Sequence, residues 1–152
     1  MTFIAGLRLT GMTAPWVLDG PMDGDAFRVY VREVLAPTLG RGDVVVLDNL
    51  PAHKVAGIRE AITARRAPIF CLPPYGPDMT LRLPSNDAAH RRNLLGRLRP
   101  IEMAFAKLKA LLRQDPARTV DGLITRIGQL LDRFIPAECA NFFQAAGYQR
   151  SI

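Results

Sequence analysis

One short run constrains this chain more than any other. Asp43 to Asn49 reads Asp-Val-Val-Val-Leu-Asp-Asn, four apolar residues between polar ends, three of them β-branched. Such a run predicts a strand buried on both faces, as parallel strands of α/β sheets are. It stops abruptly at Asp48-Asn49. A carboxylate at the C-terminal end of such a strand lies where open α/β sheets place their chemistry. Asp48 therefore reads in two ways. It is a metal-binding carboxylate, or it caps a helix expected to begin near Lys54 or Val55 or stabilises the turn before it.

The rest of the chain supplies the partners this strand needs. Thr2–Arg8 and Ala14–Leu18 predict two strands, with Gly11 and Thr13 marking a turn wider than a two-residue hairpin. A helix is expected from about Asp25 to Leu39, capped by Asp23 or Asp25. Its apolar face is Phe27, Val31, Val34 and Leu35, and Gly40 and Gly42 end it. A second helix is expected over Val55–Arg65, with Ile58, Ala61 and Ile62 inward. It leads into a strand at Pro68–Leu72. Two strands bracketing a helix predict a parallel crossover, right-handed by the usual rule. A proline loop, Pro73 to Asp78, follows. Residues 79–99 carry Arg82, Arg91, Arg92, Arg97 and Arg99 and read either as a basic arm for DNA or as a disordered insertion. Beyond them, Pro100–Arg113 predicts a helix with Pro100 at its first position and Glu102 in its first turn. Ile101, Phe105, Leu108 and Leu112 form its apolar stripe. Thr119 is placed to cap another helix, with Leu123, Ile127, Leu130, Leu131 and Phe134 inward. A last helix, Ala137–Ala145, is expected to stop at Gly147.

At 152 residues the chain suits one domain of α/β class. No run of 18 apolar residues predicts a membrane span, and no secretory signal is visible at the N-terminus. Net charge is +6, with 17 Arg against 3 Lys. That excess is compatible with phosphate contacts and equally with a GC-rich genome. Cys71 and Cys139 stand far apart in no metal-type spacing, so reduced thiols in a cytoplasmic protein are the default. No glycine-rich phosphate loop follows either parallel strand, which argues against a nucleotide-binding α/β protein.

Several motifs together carry a resemblance: Val46-Leu47-Asp48-Asn49; His53-Lys54; Leu72-Pro73-Pro74-Tyr75-Gly76-Pro77-Asp78; Pro100-Ile101-Glu102 with Phe105-Ala106-Lys107-Leu108-Lys109; and Ala137-Glu138-Cys139-Ala140-Asn141-Phe142-Phe143. Over nearly its whole length the chain resembles the catalytic half of mariner-like transposases of bacterial insertion sequences. These are DDE-type enzymes with an RNase H-like fold, a mixed sheet flanked by helices. The resemblance implies that Asp48 and Glu102 are the second and third metal ligands of an Asp-Asp-Glu triad, and that Asn49 and His53 lie beside the site. For His53 a hydrogen bond in the loop or at a helix start is an equal reading. It implies two Mg2+ or Mn2+ ions, DNA as partner (transposon ends and target), and strand cleavage followed by strand transfer. Lys54, Lys107, Lys109 and Arg113 are the candidate DNA contacts. A bacterial cytoplasmic location, nucleoid-associated when on DNA, is expected.

Two departures from the family pattern stand out. The family's first catalytic aspartate lies on a central strand upstream of the segment matching Thr2, and Asp19, Asp23 and Asp25 do not substitute for it. The expectation is a partial catalytic domain over 1–152 that lacks this strand and is inactive alone. An N-terminal transposase fragment or a homodimer is then a possible partner, and the rival reading is a non-catalytic remnant or split subunit that binds DNA or a transposase. Second, Glu102 falls 24 positions after Asp78, 19 more than the family spacing, which places an atypical insertion at about 79–98.

Overall fold

The structure is a computed structural model that describes residues 1–48, 50–71, 100–146 and 148. The proline loop and the expected insertion at 79–98 lie outside the described residues, as do Asn49 and Gly147. The chain divides into two compact units. The first holds Met1–Ala5 and Thr13–Leu81, and the second Gly6–Met12 and Arg82–Ile152.

Strands β1 (Thr2–Arg8) and β2 (Gly11–Leu18) pair with each other. Only Leu9 and Thr10 lie between them, so the expected wide turn is a tight one, and strands joined this closely run antiparallel. Gly11, at φ +147, makes the tight entry possible. Within β2 the backbone is wrenched at Ala14, which takes φ +50 although it carries a side chain and precedes Pro15. The displaced Ala14 carbonyl accepts a hydrogen bond from the Tyr30 hydroxyl at 2.9 Å. Trp16 stacks on the same tyrosine, centroids 5.9 Å apart.

Tyr30 ends α1 (Gly24–Tyr30), which Asp23 caps by accepting from the Ala26 N–H at 2.8 Å. The expected helix to Leu39 continues, but not as an α-helix. Residues Val31–Leu35 widen into a π turn and Ala36–Thr38 tighten into a 3-10 turn. Pro37 explains the change, because it has no N–H to give to the carbonyl one turn back and its ring crowds that carbonyl. The inward face is the expected one: Phe27, Val31 and Leu35 are buried, and they join Ile58, Ile62 and Ala67 in the core of the first unit.

Strands β3 (Val45–Leu47) and β4 (Ile69–Cys71) are parallel, with Val45 opposite Ile69, Val46 opposite Phe70 and Leu47 opposite Cys71. The parallel pairing is as expected, but burial on both faces is not. Val46 is 43% exposed and Phe70 51%. Each strand has a single ladder neighbour among the described residues, and Val44, Val46 and Phe70 are exposed. One mixed sheet was expected; the described strands instead form two separate two-stranded sheets. Helix α2 is also shorter than expected, Ile58–Thr63, and starts from Gly57 at φ +92. Asp48 therefore does not cap it.

Among the described residues, the second unit holds three helices besides the hairpin tip. Helix α3 (Pro100–Gln114) buries Pro100, Ala104 and Leu108. Helix α4 (Val120–Leu131) is capped by the Thr119 hydroxyl, which accepts from the Gly122 N–H at 3.0 Å, and buries Ile127 and Leu130. Helix α5 (Pro136–Ala145) begins one residue earlier than expected, with Pro136 at its first position. Among the described residues, no helix is long and apolar enough to cross a membrane.

Tyr30 gives a testable consequence. Burial pushes its phenol well above the ordinary value near 10. Up to about pH 10 both folded and unfolded chains keep the proton, and its contribution to stability is constant. Above that the unfolded chain releases it while the folded chain does not, so stability falls as pH rises. Tyr30→Phe is expected to flatten this alkaline slope and, at neutral pH, to cost about 1–3 kcal/mol because the buried Ala14 carbonyl loses its donor. Urea denaturation at pH 7 and above pH 10 measures both.

Candidate functional site

Asp48 follows β3 directly, at the C-terminal end of a parallel strand. The chain then turns through Leu50 into a single 3-10 turn, Pro51–Lys54, that Pro51 opens. This turn folds His53 back over the strand end. His53 Nδ1 sits 2.5 Å from Asp48 Oδ1 and 3.3 Å from the Asp48 backbone carbonyl. The Leu50 N–H also reaches Oδ1, at 3.4 Å. The His53 N–H donates to the Leu50 carbonyl at 3.0 Å, and the imidazole lies on Phe27 with centroids 4.2 Å apart. The two side chains are mostly covered, His53 14% and Asp48 24% exposed. Asp48 thus performs the turn-stabilising role considered from sequence and makes a carboxylate–imidazole pair as well. Lys54 is exposed beside this pair.

Glu102 stands in the first turn of α3, half-buried, where its charge favours the positive helix end. It belongs to the second unit and Asp48 to the first. Lys109 and Arg113 are exposed on α3. Lys107 is engaged within its own unit: it pairs with Glu138, donates to the Arg133 carbonyl at 2.8 Å and lies 4.7 Å from the centre of the Phe134 ring. The neighbouring Cys139 is fully buried, and burial, followed by the Glu138 charge, pushes its thiol up. Cys71 is exposed, and both cysteines are free.

Two partners escaped the sequence reading. The sequence places Phe27 on the core face of its helix and carries no sign of its contact with His53, 26 positions away. Glu138, in the first turn of α5, carried no sign that it would hold Lys107. Nothing local in the sequence links either pair.

Does this site suit a metal? Among the described residues, no three His, Cys, Asp or Glu side chains cluster closely enough to hold one. The donor type nevertheless fits a hard divalent ion. Mg2+ is commonly held by one or two carboxylates completed by water and substrate phosphates, and ligating carboxylates are characteristically oriented by hydrogen bonds of the kind Asp48 receives.

Strand end and turn thus place one oriented carboxylate, Asp48, at the C-terminal end of a parallel strand. The family model described as DDE superfamily endonuclease matches residues 1–81. That stretch includes Asp48, Asn49, His53 and Lys54 and ends before Glu102. The chain belongs to the DDE superfamily endonuclease family, and so to the DDE-type transposases and endonucleases. No curated protein matches it.

Proposed function

We propose that this chain contributes the acidic site of a mariner-like DDE-type transposase of bacterial insertion-sequence type, with an RNase H-like fold. The reaction is metal-dependent cleavage of a DNA strand followed by attack of a 3′-hydroxyl on target DNA. The observation that carries the reading is Asp48: a carboxylate at the end of a parallel strand, held in place by N–H groups of the following turn.

In this reading Asp48 and Glu102 are two of the carboxylates that hold Mg2+ or Mn2+. When bound, the ions activate the attacking hydroxyl and offset charge on the leaving oxygen. The protein's own part is positional. Asp48 fixes one oxygen donor on a rigid strand end, and Glu102 supplies another from the first turn of α3. Lys54, Lys109 and Arg113 contact DNA phosphates, whereas the internal contacts of Lys107 give it a structural task first. Residues 79–98 are proposed as an insertion ahead of the glutamate helix.

The test is a labelled DNA duplex incubated in Mn2+, in Ca2+ and in EDTA with the protein alone and with the protein mixed with a transposase fragment that carries the upstream aspartate. Nicking in Mn2+ that requires the fragment supports the reading, with the chain inactive by itself; equal nicking in EDTA excludes it. DNA binding without nicking even in the mixture favours the rival, a non-catalytic DNA-binding module. Binding that weakens as salt is raised identifies phosphate contacts.

A further inference from the structure

We propose that His53 is a positioning residue for Asp48: it locks the carboxylate in one orientation through an Nδ1–H bond and thereby sets the affinity of Asp48 for a hard divalent cation. This rests on the reading of Asp48 as a metal ligand.

The tautomer follows from the contacts. Two oxygens of Asp48 face the same ring nitrogen, Oδ1 at 2.5 Å and the backbone carbonyl at 3.3 Å. A carbonyl and an ionised carboxylate only accept, so a lone pair on Nδ1 would be repelled by both. Nδ1 therefore carries the hydrogen. The ring is fixed on three counts. One face lies on Phe27, itself 2% exposed. Its main chain is tied to the Leu50 carbonyl, and Pro51 stiffens the turn that bears it. Leu50 N–H meets the same Oδ1, so two donors from one turn hold that oxygen. The turn is also closed by the main-chain bond from His53 N–H to the Leu50 carbonyl, and α2 is started by Gly57 with no side-chain cap. The largely buried imidazole adds a further donor to the carboxylate oxygen. This is the arrangement by which proteins orient ligating carboxylates.

The experiment uses the purified chain and two readouts. Nitrogen-15 spectra of the two histidines, with His53 assigned by its loss in His53→Asn, are expected to show the Nδ1–H form at His53; the Nε2–H form would overturn the proposal. Mn2+ titration, followed by paramagnetic broadening of amide signals at residues 44–48, supplies the second readout. His53→Ala is expected to weaken Mn2+ binding by about 10–100-fold, and His53→Asn, whose amide N–H can take the Nδ1 place, to recover most of it. Both variants lose the ring on Phe27 and should be similarly destabilised in urea, so recovery of binding without recovery of stability separates positioning from mere folding. If the two variants bind Mn2+ equally weakly, the role is structural and the proposal falls. If Asp48→Asn abolishes broadening while His53→Ala leaves it unchanged, this inference alone fails. Broadening absent from the wild type, or undiminished in Asp48→Asn, removes the metal reading of Asp48 and this proposal with it.

Discussion

In a mixture with a transposase fragment that supplies the upstream aspartate, Asp48→Asn is expected to lower Mn2+-dependent DNA nicking by about 10³-fold while the chain stays folded. The size follows from the role. A ligand lost from a Lewis-acid site forfeits several kcal/mol of transition-state charge stabilisation, and each 1.36 kcal/mol is about tenfold. The fold should tolerate the change because asparagine keeps the side-chain oxygen. That oxygen still accepts from the Leu50 N–H and from His53 Nδ1–H, with some loss because the acceptor is no longer charged. A bond of this kind, 24% exposed on the acid and 14% on the imidazole, costs about 1–2 kcal/mol when weakened. Activity and stability are thus predicted to separate: a large rate loss, a small shift in urea midpoint. Rate retained within about tenfold would show that Asp48 serves the turn and not the chemistry.

How much of this was readable in the residues depended on the range of the forces involved. Local signals read well. Asp23 and Thr119 cap the helices they were expected to cap, Pro100 opens its helix, and the two apolar runs pair in parallel. Errors arose where a neighbour decides the outcome. The Val-Val-Val run signals a strand, but whether another layer packs on each of its faces is set elsewhere in the chain, and Val46 is exposed. Pro37 is a local signal for the break after Tyr30, set against a good apolar periodicity. The φ +50 at Ala14 is sustained by a hydroxyl 16 residues away. At the site, sequence selected Asp48 and His53 as neighbours, but not the hydrogen bond between them or the ring beneath. Asp48 and Glu102 lie in different units, and their common role is a proposal drawn from the chemistry of carboxylates.

The second large effect is expected at Phe27, which makes no contact with DNA in the proposed reading. Phe27 is 2% exposed and packs against Tyr30, centroids 6.0 Å apart, and against His53. Truncation to alanine removes a buried ring from the junction of α1, the 3-10 turn and the core, at about 3–5 kcal/mol. Against a typical domain stability of about 5–15 kcal/mol, this consumes much of the margin of the first unit. Trp16, the sole tryptophan, stacks on Tyr30 in that unit, so its fluorescence reports unfolding there without mixing in the helical unit. The expected result is a large fall in the urea midpoint followed at Trp16. Val29→Ala, on the exposed side of the same helix at 47% exposure, should shift it by no more than about 0.5 kcal/mol. Phe27→Leu refines the argument. It keeps most of the apolar volume, at a cost of about 1.5 kcal/mol or less if the core repacks, yet removes the flat face on which the imidazole rests. Its Mn2+ binding should then weaken although the unit remains folded, placing Phe27 behind His53 in the same chain of support that ends at Asp48. A midpoint unchanged in Phe27→Ala would mean that this ring is not the platform of the site.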